Sequence, residues 1–282
     1  MKQSLCFLAS LTVLGTLAPT LSRGHADLLL QIEELSKTIE KEPNNPELYV
    51  CRAELNRSHL AWETAAADLD RAGELDPAYD LVDFMRGRLL FDSGWPLSAK
   101  ACLDRYLTRK PNDAGALIAR AHVLTHLQLR LDAAKDFTRA IACSPEPGPE
   151  LFIERAQALG AAGPEYLAEA LSGLDDGVKR LGPLVTLQLF AIDLELKQGK
   201  FDGAISRLDQ VAEKSPRKES WLARRGEILI EAGRPAEAKR TFESALAAMD
   251  KLPPARRNVP AMLELQRRIR ANLEKLGAPP AR

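Results

Sequence analysis

The stretch AGALIARAHVLTHLQLRLDAAKDFTRAIACSP, from Ala114 to Pro145, decides the fold of this chain. It has the pattern of two short amphipathic helices joined by a polar turn. The proline at its end is one of four that recur every 34 residues, namely Pro43, Pro77, Pro111 and Pro145. The chain is therefore built from copies of one unit, and each copy ends at a residue that cannot continue a helix.

Three other positions in the unit keep their residue type from copy to copy. Small residues lie 24 positions before the later prolines (Ala53, Gly87 and Ala121) and 12 positions before them (Ala65, Ala99 and Ala133). Large apolar residues lie eight positions before the four prolines (Leu35, Leu69, Leu103 and Phe137). Small residues allow two helix backbones to approach closely, and the large residues fill the space beside them. The pattern predicts a stack of closely packed helix pairs.

The residue types and the period resemble the tetratricopeptide repeat, a 34-residue helix–turn–helix unit, as found in exported bacterial proteins. The resemblance covers the chain from about Leu28 to Asp250. It implies an all-α fold, a right-handed superhelical solenoid of about six antiparallel helix pairs with capping helices at both ends. We expect an N-terminal capping helix in 27–45, the solenoid in 46–250, and a C-terminal capping helix with a frayed tail in 251–282.

The fourth copy, Pro149 to about Pro183, departs from the regular spacing. Its two small residues, Ala156 and Ala170, are 14 positions apart, where the other copies have 12. We expect about two extra residues in its inner turn, around Gly160 to Pro164.

Residues 1–26 have the composition of a secretory signal peptide. Lys2 precedes an apolar run from Leu5 to Leu17, and the small residues Gly24 and Ala26 suit a signal peptidase. A membrane-spanning helix needs roughly 20 apolar residues, and Pro19 interrupts this run too early. We therefore expect an exported protein, in the periplasm or secreted, with an uncleaved anchor or a chance apolar start as the alternatives.

Charge excludes a general affinity for nucleic acid. The chain has 39 basic and 39 acidic residues, with no global excess of positive charge. The distribution is uneven, because 27–150 holds 15 basic and 21 acidic residues while 151–282 holds 22 and 18. Such an asymmetry would orient a partner or a second copy of the chain.

The sequence contains no nucleophile elbow, zinc-protease motif, phosphate loop or dinucleotide fingerprint. His122 and His126 share one helix face, but a stable transition-metal site wants a third or fourth ligand, for which Asp92 is the available candidate. We predict no catalysis, no metal and no cofactor.

Three cysteines follow the leader, namely Cys51, Cys102 and Cys143. They lie in different copies without metal-ligand spacing and have the pattern of apolar packing residues. One disulfide among them remains open.

The resemblance implies that the first helix of each pair lines a concave groove in which a peptide lies. Carried onto this sequence, the groove floor comprises Val50, Phe84, Ile118, Ile153 and Leu189. The row one helical turn further comprises Glu54, Arg88, His122, Gln157, Asp193 and Glu227, and His126 lies beyond it. An apolar track edged by mixed charges suits a short amphipathic segment of another protein. The alternative is that these apolar side chains only pack against neighbouring helices.

Some tetratricopeptide repeat proteins hold a terminal carboxylate with repeated Lys and Asn. The residues near those places are Val50, Glu54, Phe84 and Met85, so we do not expect a carboxylate clamp.

These observations favour a non-catalytic scaffold or adaptor of the cell envelope or periplasm that holds a protein or peptide partner. Two alternatives stay open: a self-assembling structural repeat protein, and an enzyme or metal-handling protein that uses His122 and His126. We expect membrane contact only through the leader, if it is uncleaved, or weakly through a basic last helix at about Val259 to Lys275.

Overall fold

The computed structural model describes residues 20–277, and all its regular structure is helical. Of the leader expected in 1–26, residues 1–19 lie outside the described residues. The helices, in chain order, are α1 (Thr20–Lys41), α2 (Pro46–Ser58), α3 (Trp62–Leu75), α4 (Leu81–Asp92), α5 (Pro96–Arg109), α6 (Ala114–His126), α7 (Arg130–Cys143), α8 (Pro149–Ala162), α9 (Leu167–Leu181), α10 (Val185–Lys197), α11 (Phe201–Lys214), α12 (Glu219–Glu231), α13 (Pro235–Asp250), α14 (Pro254–Arg257) and α15 (Pro260–Gly277).

The chain divides after Pro145 into two compact units. In the first unit, α2 packs on α3, α4 on α5 and α6 on α7, and the first helices α2, α4 and α6 also contact their neighbours. In the second unit the pairs are α8 with α9, α10 with α11, and α12 with α13. This succession of packed helix pairs confirms the all-α repeat architecture.

The residues that recur every 34 positions form the core, as the sequence predicts. The small residues Ala65, Ala99 and Ala133 and the large residues Leu69, Leu103 and Phe137 are all buried. At Gly87, a Cβ atom would lie only 2.6 Å from Leu103 Cγ. A larger residue at that position would force the two helices of the second pair apart.

The turn inside each regular pair has one residue in the left-handed region of φ: Leu60, Gly94, Gln128, Gly199 and Gly233. After each of them, a backbone N–H returns to the carbonyl five residues earlier, as from Trp95 to Leu90 at 2.7 Å. This is the Schellman closure of a helix, which favours glycine at the left-handed position. Leu60 and Gln128 occupy it with side chains, at φ 63° and 62°.

The fourth pair is irregular where the spacing predicts it. Between α8 and α9, the structure has a short 3₁₀ turn, Pro164–Tyr166, in place of the left-handed closure. The turn provides room for the additional residues without interrupting either helix.

Both ends of the described chain are covered by helices outside the pairs. Helix α1 packs on α2, and it begins at Thr20, inside the segment expected to be a leader. Helix α15 packs on α12 and α13 and buries Met262, Leu265 and Ile269 against the last pair. Between residues 20 and 277, no helix is both long enough and apolar enough to cross a membrane.

Candidate functional site

The first helices of the first unit bring together the residues of the expected groove. Phe84 on α4 and Ile118 on α6 are half-buried, so each keeps accessible apolar surface. Val50 on α2 is only 3% exposed and packs in the core of the first unit with Tyr49 and Val82. The accessible apolar part of the row therefore lies on α4 and α6.

Four charged side chains form a network across α2 and α4. Arg57 donates to Glu54 at 2.8 Å and also pairs with Asp92, while Arg88 lies 3.1 Å from Glu54. Burial would raise the pKa of Glu54, but the hydrogen bond from Arg57 and the charge of Arg88 outweigh it, so the pKa lies below its usual value. Hydrogen bonding to Glu54 likewise raises the pKa of Arg57. The network thus favours the charged forms of Glu54 and Arg57, and it contains two basic and two acidic side chains.

Aromatic rings lie beside this network. Phe84 stacks on Tyr106 with ring centroids 5.3 Å apart and an interplanar angle of 28°. The guanidinium of Arg88 lies over the ring of Phe84 itself, 5.8 Å from the ring centroid, in cation–π geometry. The accessible edge of Phe84 is therefore held in a fixed orientation.

A cavity of about 200 Å³ opens between α2, α4 and α6. Its lining combines charged and aromatic side chains, among them Arg57, Arg88, Phe91, Asp92 and His122. A short side chain of a partner would fit this volume, with guanidinium, carboxylate and imidazole groups around it.

The histidines of α6 do not converge on a metal site. His122 meets the ring of Phe137 edge-on at 5.6 Å, and His126 meets Phe91 edge-on at 5.7 Å. Asp92, the candidate third ligand, is engaged by Arg57. Throughout the part of the chain that the structure describes, no group of three or more His, Cys, Asp or Glu side chains is placed to hold a metal ion.

In the second unit, the expected groove residues lie on α8 and α10. Ile153 is half-buried, and Leu189 is 37% exposed. Gln157 and Asp193 line a separate cavity of about 240 Å³ together with Phe190 and Lys197. Each unit therefore has its own small cavity on its first helices.

A family model described as a tetratricopeptide repeat matches residues 195–269. No curated protein matches the chain in sequence.

Three solved structures have the same fold over most of the chain. A tetratricopeptide repeat protein from Parabacteroides merdae is 18% identical, covers 89% of this chain and 94% of its own, and has a TM-score of 0.51. The C-terminal part of a tetratricopeptide repeat-containing protein from Cytophaga hutchinsonii is 15% identical. The match covers 87% of this chain and 96% of that one, with a TM-score of 0.63. The pilF protein of Pseudomonas aeruginosa is 16% identical. The match covers 79% of this chain and 96% of that one, with a TM-score of 0.50.

Residues 195–269 thus match the tetratricopeptide repeat family, and the chain as a whole has the fold of solved tetratricopeptide repeat proteins. At these identities the structural likenesses show the fold alone. The positions that the copies share are buried packing positions, such as Ala99 and Leu103.

One recurrent feature of the repeat protein is not apparent from apolar periodicity. The residue just before the small position of the first helix is arginine in five of the pairs: Arg52, Arg86, Arg120, Arg155 and Arg225. Arg120 binds Asp136 of its own pair at 2.7 Å and Asp104 of the preceding pair at 2.8 Å. The acidic partners lie 16 residues before and after the arginine, a spacing that a search for paired charges would have found.

We call this recurrent arginine, together with its acidic or polar partners, the arginine clamp. The partners of the clamp differ from copy to copy. Arg52 binds Asp68 and Ser36, and Arg86 binds only Asp70 of the preceding pair. The fifth pair has Ala191 at the arginine position. There Arg207, on the second helix, reaches Asp175 and Glu195, so the charge order is reversed. The clamps join neighbouring helix pairs and leave the groove row available.

The cysteines have packing roles in the described chain. Cys102 is buried, while Cys51 and Cys143 are half-buried, and the structure joins none of the three by a disulfide. Cys143 packs beside the core around Tyr106 and Leu117.

Proposed function

We propose that this protein is a non-catalytic scaffold that holds a short amphipathic segment of a partner protein on the first helices of its first unit. The repeat fold is one that supports protein–protein interaction. The observation that carries the proposal is the combination on α4 and α6 of half-buried Phe84 and Ile118 with the 200 Å³ cavity one helical turn further along, at Arg88 and His122. Apolar surface of this kind contributes about 25 cal/mol per Å² when a partner covers it.

The balanced charge network sets which segment binds. Glu54, Arg57, Arg88 and Asp92 already satisfy one another, so the site has no net charge to attract a strongly acidic or basic peptide. The partner segment is therefore mainly apolar, with polar groups that match the rim. Such charges govern orientation and discrimination more than affinity.

We also propose that the protein acts after export, in the periplasm or outside the cell. The support is the leader-like composition of 1–26. Mass spectrometry of the protein recovered from the envelope fraction tests this, because export with cleavage yields a chain that begins near residue 27. An intact N-terminus in the cytoplasmic fraction would contradict the proposal.

Photocrosslinking in cells tests the groove directly. A benzoylphenylalanine side chain is placed at Phe84 or at Ile118, and at Thr108 as a control on the second helix of the second pair. We expect the two groove positions to capture the same partner and Thr108 to capture none of it. Equal capture from all three positions would remove the groove from the mechanism.

Binding of that partner is then compared in matched double variants. Phe84→Ala with Ile118→Ala removes groove surface and should weaken binding while helicity stays unchanged. Leu97→Ala with Leu129→Ala removes exposed apolar surface at the turns, where the side chains are 73% and 43% exposed. The proposal requires the groove double variant to weaken binding and the turn double variant to leave binding unaltered. The reverse result refutes it.

A further inference from the structure

The C-terminal segment 251–277 presents a basic outer surface. It contains seven basic and two acidic residues: Lys251, Arg256, Arg257, Arg267, Arg268, Arg270 and Lys275, against Glu264 and Glu274. Arg267 pairs with Glu264, and Arg268 pairs with Glu227 of α12 at 2.9 Å. The segment's own residues give it a net charge of +5, or +4 once the pairing of Arg268 with Glu227 is counted, on a capping element that no further repeat covers within the described chain.

Apolar side chains protrude within this basic surface. Met262, Leu265 and Ile269 on α15 turn inward to the core, but Val259 and Leu263 are 41% and 49% exposed. The backbone N–H of Leu263 bonds to Val259 O at 3.1 Å, which places the two side chains one helical turn apart.

Two arginines continue the same side of the helix. Arg267 and Arg270 lie four and seven positions after Leu263 and so share its side of α15. Both are exposed. We call the surface formed by Val259, Leu263, Arg267 and Arg270 the C-terminal patch.

We propose that the C-terminal patch docks on the surface of an anionic phospholipid bilayer. The net positive charge of the segment complements anionic headgroups, and exposed aliphatic side chains beside arginines are the composition that enters the headgroup boundary. A bilayer also accommodates a protruding convex helix, since its surface deforms around the side chains.

A second copy of the chain fits the patch poorly. A stable interface buries about 800 Å² on each partner, and two half-exposed aliphatic side chains supply only a fraction of that. In a two-fold symmetric dimer the same surface meets itself, so two segments of charge +5 would repel each other.

Vesicle co-sedimentation with the full chain tests the proposal. Phosphatidylcholine vesicles are compared with phosphatidylcholine vesicles that also contain phosphatidylglycerol. The leader is the same in every variant, so differences among variants report the patch. We expect binding to the anionic vesicles that falls steeply with salt, because the Debye length shrinks from about 10 Å at 0.1 M to about 3 Å at 1 M.

The variants have graded expectations. Arg267→Gln with Arg270→Gln should lower the partition coefficient by about thirtyfold, since each arginine near an anionic surface contributes roughly a fivefold gain. Leu263→Ser should lower it by about fivefold, because half of a leucine side chain is no longer buried in the bilayer. The matched control is Arg180→Gln with Lys214→Gln, which removes the same charge from exposed positions elsewhere in the second unit.

An equal loss of binding in the control and patch variants would overturn the proposal, as would equal binding to both kinds of vesicle. Saturable binding of polyglutamate that is unchanged by Leu263→Ser would assign the patch to an acidic protein. A dimer in light scattering that Leu263→Ser dissociates would assign it to a second copy. Phe84→Ala with Ile118→Ala should not alter vesicle binding, so failure here is distinct from failure of the groove.

Discussion

The arginine clamps predict that one substitution at equivalent positions has very different costs. Arg120→Met removes both guanidinium bonds to Asp136, whose side chain is only 5% exposed. Asp136 then keeps only Arg139, 4.0 Å away and 45% exposed, and a buried carboxylate that loses its close partner costs up to about 3–5 kcal/mol. Arg86→Met breaks a pair with Asp70, whose side chain is 69% exposed. Because water replaces that partner, the expected cost is about 0–1 kcal/mol.

Urea unfolding followed by circular dichroism measures both free energies of unfolding, and native-state hydrogen exchange locates the loss. We expect Arg120→Met to lower protection mainly in α6 and α7, since each pair is stabilised by its neighbours. A double variant, Arg120→Met with Asp136→Leu, should recover most of the stability because no charge remains buried. Single-variant costs that agree within about 0.5 kcal/mol would refute the reasoning, since acceptor burial would then not decide the strength of the clamp.

Three further predictions concern the turns, the charge network and the core. Leu60→Gly should stabilise the protein by about 1 kcal/mol because leucine is strained in the left-handed region, whereas Gly94→Ala should destabilise it by about as much. Urea unfolding in which Leu60→Gly destabilises the protein or Gly94→Ala stabilises it would contradict this. The pKa of Glu54 lies below its usual value, so the ionised form stabilises the fold above about pH 4.5 and loses that contribution as the pH falls through the lowered pKa. The difference in unfolding free energy between wild type and Glu54→Gln should therefore be largest at neutral pH and shrink as the pH falls through the lowered pKa of Glu54, and a pH-independent difference would exclude an electrostatic origin. Ala133→Arg should lower the melting temperature by many degrees, because this fully buried position has no room for a long charged side chain; a melt within about one degree of wild type would contradict the packing.

The helix pairs could be predicted from sequence because their information is local and repeated. Small and large residues at fixed offsets specify how two helices approach, and Ala99 and Leu103 are buried as those offsets require. The irregular fourth turn was also predictable, since a change of two residues in a fixed spacing must be accommodated between the helices. The structure places that change in the 3₁₀ turn Pro164–Tyr166.

The site was less predictable because it depends on side-chain direction as well as repeat position. Val50 holds the same repeat position as Phe84, yet it is buried while Phe84 keeps accessible surface. The difference arises from size: a valine beside Tyr49 and Val82 is enclosed, whereas a phenylalanine extends past its neighbours. The pairing of Arg57 with Glu54 and Asp92 joins residues from two copies, and a residue pattern read within one copy does not show it.

The division between constant and variable positions explains how a repeat protein acquires specificity without losing its fold. The small positions, the large positions and most clamp arginines are repeated because neighbouring pairs need the same contacts. One position, by contrast, is Glu54 in the first pair, Arg88 in the second and His122 in the third, and all three point to the same side of the first unit, at or beside the 200 Å³ cavity. Each of the three makes its own local contacts, since Glu54 pairs with Arg88 and His122 meets Phe137, but none of them belongs to the repeated core. At this position, exchange of one copy's residue for another's should redirect binding while the repeated buried core stays unchanged. Arg88→Glu would test this most sharply, because it leaves three carboxylates with Arg57 and changes the net charge of the four-residue network from zero to −2.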